Sequence, residues 1–134
     1  MAEEKNKRKI LIVDDDKGTR LMIRRLLTLE NKYELEEAED GLQAEERLKT
    51  FKADLMILDI MMKGQDGYVT CKNIRKNESL KYIKIIGISG ESQEIGKVFI
   101  EEYGADRFME KPFKAKEFKE LIDRLLREKE LIDQ

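Results

Sequence analysis

Four short apolar runs, each followed directly by a side chain that can do chemistry, constrain the fold of this chain more than any other feature. The run from Leu55 to Leu58 has no alternation, as expected for a central parallel strand buried on both faces. Because ligand sites in open parallel sheets lie outside the carboxyl ends of the strands, we expect the residues that follow the runs to meet at one edge. They are Asp14 and Asp15 after residues 10–13, Asp59, Ser89 and Lys111.

Strand-like and helix-like patterns alternate along the whole chain, which predicts right-handed crossovers with helices on both faces of a parallel sheet. The most apolar runs belong at the centre. This gives an α/β fold, a doubly wound five-stranded parallel sheet in the order 2-1-3-4-5 with five helices. The predicted strands cover residues 10–13, 33–38, 55–58, 85–89 and 107–110. The predicted helices cover residues 17–30, 42–51, a segment ending near 76, residues 92–103 and a segment starting near 114.

Local signals add detail to this pattern. Asp40-Gly41 is predicted to form a turn, and Gly104 to end the fourth helix. The last helix carries the clearest amphipathic stripe in the chain. Apolar residues at helical spacing are Leu21, Met22, Leu26 and Leu29 in the first helix and Phe118, Leu121, Ile122, Leu125 and Leu126 in the last.

The length of 134 residues fits one domain with a single core. We expect a charged N-terminal extension at residues 1–8, the domain at 9–126, and at 127–134 a charged extension of the last helix or the start of a linker.

Charge and cysteine content exclude several classes. The formal net charge is -2, and the sequence shows no basic patch of the kind that binds nucleic acid directly. The single cysteine, Cys71, excludes an internal disulfide and suits a reducing compartment. No apolar run is long enough to span a membrane, and residues 1–9 lack the apolar core of a secretory signal. A cytoplasmic domain is expected.

The chain contains no histidine. It therefore cannot be a histidine phosphocarrier, a histidine-ligated metal enzyme or a hydrolase with a histidine base. Phosphoryl storage and proton transfer must use carboxylate, amine or hydroxyl groups, or a residue of a partner.

Three converging carboxylates require a cation, because two of them about 4 Å apart repel by roughly 4 kcal/mol at an effective dielectric near 20. Oxygen ligands alone favour a hard ion such as Mg²⁺. Asp59 stands alone after its strand and is the best candidate nucleophile, since aspartyl phosphates are established intermediates. Lys111 and Ser89 could bind phosphoryl oxygens, and the carbonyl of Met61 could reach the metal.

The order and separation of five motifs are similar to those of the receiver domain of response regulators, over residues 9–126. The resemblance implies phosphoryl transfer from a partner histidine kinase or histidine phosphotransfer protein to Asp59. It also implies Mg²⁺ bound by Asp14, Asp15, Asp59 and the Met61 carbonyl. The motifs are ILIVDD (10–15), LMILDIMM (55–62), GQDGY (64–68), IGIS (86–89) and KPF (111–113).

The resemblance also implies a conformational switch. The Ser89 hydroxyl is expected to move toward the phosphoryl group and the Phe108 ring to turn inward. This would remodel the face formed by the fourth helix, fifth strand and fifth helix, which a downstream protein reads. The chain is then a monomer or a phosphorylation-dependent dimer, and the Lys111-Pro112 bond is expected to be cis. Gly90 and Glu91, next to Ser89, complete the predicted site.

Three positions depart from the family pattern. Lys63 and Lys84 stand where many receivers have proline, and Phe108 replaces a frequent tyrosine. These departures affect loop geometry and the choice of partner, while every group needed to accept a phosphoryl group is present.

Other functions remain open at this point. The domain could be the receiver of a longer regulator, or a docking module that is never phosphorylated. A haloacid-dehalogenase-like phosphatase would use Asp14 as its nucleophile, but Gly18 stands where that motif has Thr or Val, and Asp59 would lack a role. We expect a signalling domain, not an enzyme, that catalyses only its own phosphorylation and dephosphorylation.

Overall fold

Five parallel strands form one sheet in the order β2-β1-β3-β4-β5, as predicted. The computed structural model describes residues 7–62, 66–90 and 93–133. The strands are β1 (Arg8–Val13), β2 (Tyr33–Ala38), β3 (Leu55–Asp59), β4 (Lys84–Ser89) and β5 (Arg107–Glu110). The helices are α1 (Lys17–Thr28), α2 (Gly41–Arg47), α3 (Gly67–Lys76), α4 (Gln93–Tyr103) and α5 (Ala115–Asp133).

Alternate residues of the central strands point into two separate cores, one on each face of the sheet. Leu11 and Val13 pack in the core that also contains residues of α2, α3 and α4, whereas Ile10 and Ile12 pack in the core of α1 and α5. All five residues of β3 are buried. The sheet is therefore covered by helices on both faces, and its continuous apolar strands are explained by this double burial.

Aspartates begin three of the helices. The side chains of Asp16, Asp40 and Asp66 each accept a hydrogen bond from the backbone N–H three residues on, which is the N-cap arrangement. Such a cap stabilises a helix by about 1 kcal/mol. The prediction of a turn at Asp40-Gly41 was therefore wrong, because Asp40 caps α2 and Gly41 is its first residue. That helix also ends at Arg47, earlier than residue 51.

The apolar spacing that predicted α1 does not mark its buried face. Leu21, Met22 and Leu29 are 45%, 44% and 75% exposed, whereas Ile23 and Leu27 are buried. Arg20 lies on the buried face with them, at a position that a hydrophobic pattern does not reveal.

The last helix follows its predicted stripe, with Phe118, Ile122 and Leu125 fully buried. It continues through Asp133, whose carboxylate is bonded by Lys129 one turn earlier. Gly104 follows α4 with φ of 86°, a left-handed conformation that glycine adopts without strain and that ends a helix. In the part of the chain that the structure describes, no helix is long and apolar enough to cross a membrane.

Candidate functional site

The carboxyl ends of β1, β3, β4 and β5 bring the predicted residues to one edge of the sheet. Asp59 and Ser89 are the last residues of β3 and β4, and Asp14 and Lys111 directly follow β1 and β5. Carboxylate oxygens of Asp14, Asp15 and Asp59 all lie within 4.8 Å of one another. The topology alone produces this cluster, because neighbouring parallel strands end on the same side.

Lys111 brings a positive charge to this cluster. Its Nζ lies 3.0 Å from Oδ2 of Asp14 and 3.6 Å from Oδ2 of Asp59. Burial acts to lower the pKa of Lys111, but the hydrogen bond to Asp14 and the charges of both carboxylates outweigh it, so the pKa is raised. The amine therefore stays charged. Its backbone N–H donates to the Ser89 carbonyl at 2.7 Å, and the Lys111-Pro112 peptide is cis, as expected.

Asp59 is buried at a position that disfavours its negative charge. Burial makes the largest contribution to raising its pKa, and the charge of Asp14 raises the pKa further. Lys111 and a hydrogen bond from the Met61 N–H to Oδ1 at 3.2 Å act the other way, and the resulting pKa is about 7. Among the described residues, the one lysine that contacts these carboxylates does not offset three acids. A second positive charge at this edge would favour the ionised form of Asp59.

The residues present fit a hard divalent cation. Every side-chain donor in the cluster is a carboxylate oxygen, which is the ligand type that Mg²⁺ prefers. Asp14 is fully buried and Asp15 is exposed, so the cluster reaches from the interior to solvent. This arrangement suits an ion that keeps some of its waters.

The other predicted residues surround this cluster. Ser89 is 1% exposed. The Phe108 ring is half-buried and lies directly against Gly96 of α4, where a methyl group would overlap it. Gly90 and Pro112 are exposed, as is the side chain of Met61. Glu91, Lys63 and Gly64 lie outside the described residues.

Two further residues contact the site: no motif in the sequence indicated Arg20, whereas Gly67 lies within the GQDGY motif. The Arg20 guanidinium donates from Nη1 to the backbone carbonyl of Asp14 at 2.7 Å. Gly67 lies against the backbone of Asp59 and Ile60 and donates its N–H to the Ile60 carbonyl at 2.9 Å. The apolar spacing in α1 indicated neither the burial of Arg20 nor its partners.

The fold and the acid cluster define a class of phosphoacceptor signalling domain, and comparisons with known proteins agree. Residues 10–123 match the family described as the response regulator receiver domain. The chain therefore belongs to this family, whose members bind Mg²⁺ at an acidic pocket, and it has the family's flavodoxin-like fold.

The relatives include both long and short proteins. The chain is 36% identical over 125 residues to the transcriptional regulatory protein ResD of Bacillus subtilis, covering 93% of the chain and 50% of ResD. It is 34% identical over 117 residues to the chemotaxis protein CheY-3 of Vibrio cholerae, covering 87% of the chain and 90% of that protein. The chain thus spans about half the length of several curated relatives that it matches.

Solved structures agree on the fold. A CheY-like receiver domain protein from Methanospirillum hungatei JF-1 superposes with a TM-score of 0.84 at 27% identity, covering 92% of this chain and 97% of that one.

Proposed function

We propose that this chain is a phosphoacceptor switch of a two-component system or phosphorelay, in which Asp59 takes a phosphoryl group from a histidine of a partner kinase or phosphotransfer protein. The observation that carries the proposal is the position of Asp59. It is buried at the carboxyl end of the central strand, 3.6 Å from the Lys111 amine and clustered with Asp14 and Asp15.

In the proposed reaction a carboxylate oxygen of Asp59 attacks the phosphorus atom of a phosphohistidine. The new O–P bond forms as the P–N bond breaks, and the electron pair returns to the partner's imidazole nitrogen. Asp14, Asp15, Asp59 and the Met61 carbonyl would hold Mg²⁺, which when bound neutralises charge on the transferring group.

The remaining polar groups bind the phosphoryl oxygens. Lys111 serves as a compact positive charge, and the Ser89 hydroxyl donates a hydrogen bond. Gly90, Glu91 and Pro112 flank these two residues in sequence and are part of the proposed site. Asp14 is less suited to be a nucleophile than Asp59, because it is the more deeply buried of the two and is held closer to the Lys111 amine, at 3.0 Å against 3.6 Å. A phosphatase reaction through Asp14 is therefore not favoured.

The proposed output is a protein contact through the face formed by α4, β5 and α5. Phosphorylation stabilises an active conformation only as far as the phosphoryl group contacts it better than the inactive one. Ser89 and Phe108 are the proposed moving parts. We assign residues 9–126 to the switch, with residues 1–8 and 127–134 as extensions. We propose that it works in the cytoplasm as a monomer or phosphorylation-dependent dimer, without touching nucleic acid or membrane.

The reaction is tested with acetyl phosphate as phosphoryl donor and intact-protein mass as readout. In the presence of Mg²⁺ we expect one phosphoryl adduct, which borohydride reduction and peptide mapping place at Asp59. No adduct is expected in EDTA. An adduct that forms equally in EDTA, or that maps to Asp14, would contradict the proposal. If no adduct accumulates, binding of beryllium fluoride separates rapid hydrolysis from a domain that is never phosphorylated.

Gly96→Ala tests the position of the Phe108 ring, one of the two proposed moving parts. The added methyl group would overlap the Phe108 ring, and overpacking of this kind costs about 1–3 kcal/mol. We expect the loss of unfolding free energy to be smaller when Phe108 is already alanine, because alanine lacks Cγ and the ring carbons that the methyl group would meet. The measurement is a double-mutant cycle by urea unfolding. Equal losses in both backgrounds would show that the ring does not occupy this space.

A further inference from the structure

Arg20 is the buried cation behind the acid cluster. Its side chain is 10% exposed, and its guanidinium engages three groups. Nη1 donates to the Asp14 carbonyl at 2.7 Å, Nε pairs with Oε1 of Glu37 at 3.1 Å, and Nη2 lies 3.9 Å from Oε1 of Glu39. A buried charge is costly unless it is paired in this way.

The carbonyl that Arg20 binds belongs to the peptide unit joining Asp14 to Asp15. The orientation of this unit sets the directions of the two acidic side chains relative to each other. The N–H of Asp14 is already fixed by the Ala38 carbonyl at 3.2 Å. Arg20 fixes the other side of the residue and connects it to Glu37 of β2.

We propose that Arg20 is a positioning residue for the divalent-cation site. It holds the Asp14-Asp15 peptide in the orientation that directs both carboxylates to one ion, and this role rests on the proposed Mg²⁺ site. Only a guanidinium can do this, because its planar fork reaches the carbonyl and the Glu37 carboxylate at once, whereas the ammonium of lysine is a single point.

Arg24 provides a matched control. It lies one turn further along α1 and binds the same carboxylate, with Nε 2.6 Å from Oε2 of Glu37. It also contacts the Leu35 carbonyl at 3.5 Å, away from the acid cluster. Removing Arg24 therefore weakens the same ion-pair network without releasing the Asp14 carbonyl.

The test measures the Mg²⁺ dissociation constant by isothermal titration calorimetry, at a temperature where circular dichroism shows every variant to be folded. Loss of a partner that orients metal ligands typically weakens metal binding by about tenfold or more, and we expect this for Arg20→Gln. Arg20→Lys keeps the positive charge and should fold more readily than Arg20→Gln. We still expect it to bind Mg²⁺ at least several-fold more weakly than the wild type does. Arg24→Gln should stay within about twofold of wild type although its melting temperature falls.

Three outcomes would overturn the inference. Wild-type affinity in both Arg20 variants would show that the contact does not position the ligands. An equal loss in Arg24→Gln would assign the effect to the Glu37 network as a whole. Absence of Mg²⁺ binding in the wild-type protein would overturn the proposed metal site together with this inference, whereas failure of the Arg20 variants alone leaves the proposed function standing.

Discussion

Asp59→Asn is expected to abolish the phosphoryl adduct and to make the metal-free protein more stable at neutral and alkaline pH. The first effect follows because an amide cannot replace the proposed carboxylate nucleophile. The second follows from the pKa of Asp59, which burial and the Asp14 charge raise to about 7 from the ordinary 3.8. Folding at high pH therefore forces a charge into a site that disfavours it.

The sign of the pH effect is fixed by proton binding. Between about pH 4 and pH 7 the folded protein retains a proton on Asp59 that the unfolded chain has released, so stability falls as pH rises through this window. One pKa unit corresponds to about 1.4 kcal/mol, which makes the loss on the order of 2–4 kcal/mol. Asparagine has no proton to lose, so its variant lacks this decline.

The measurement is urea unfolding in EDTA from about pH 5 to about pH 8, with circular dichroism as the readout. Asp66→Asn is the matched control, since it removes an acid seven residues away and asparagine caps a helix as well as aspartate does. This control should keep the adduct and the wild-type pH profile. Parallel profiles for wild type and Asp59→Asn would contradict the assigned pKa, and Mg²⁺ should stabilise the wild type more than Asp59→Asn.

Gly67→Ala is expected to be among the most destabilising single substitutions in the domain. A Cβ at this position would lie 2.5 Å from the Asp59 carbonyl oxygen and 2.6 Å from the Cα of Ile60. Both are backbone atoms of the segment that carries the candidate nucleophile, and they cannot rotate away as a side chain can. Either α3 or the end of β3 must shift, at a cost of about 3 kcal/mol or more.

Gly18→Ala is the control for this substitution. It places the same methyl group near the start of α1, where the nearest atom is a carboxylate oxygen of Asp16 at an ordinary 3.5 Å. Because alanine favours helix, this variant should be up to about 1 kcal/mol more stable. Urea midpoints measure both effects, and a Gly67→Ala protein within about 1 kcal/mol of wild type would refute the close approach.

The strand order and the clustering of Asp14, Asp59 and Lys111 could be predicted because both depend on a local pattern, an apolar run that ends on a reactive residue. The burial of Arg20 could not, since it depends on Glu37, 17 residues away on another element. A pattern of apolar residues contains no information about such ionic partners.

The wrong prediction of a turn at Asp40-Gly41 also arose because a local pattern was not sufficient. Aspartate followed by glycine is favoured in a turn and also at the start of a helix, and the following residues decide between them. The close contact of Gly67 with the β3 end is likewise a property of packing between elements, so the GQDGY motif indicated this glycine without showing what it contacts.

The two edge strands of the sheet are anchored to the neighbouring helices to different extents. At β2, Arg20 and Arg24 both bind the Glu37 carboxylate and connect the strand to α1. At β5, Phe108 lies against Gly96, no residue of the strand is fully buried, and the ion pair of Arg107 with Glu128 of α5 is more exposed than that of Arg20. β3 lies between them, buried along its whole length, and has little freedom to move when its terminal carboxylate gains charge. We therefore propose that a displacement that begins at Asp59 moves β5 and α4 more than β2 and α1, which would give the response of the domain a direction.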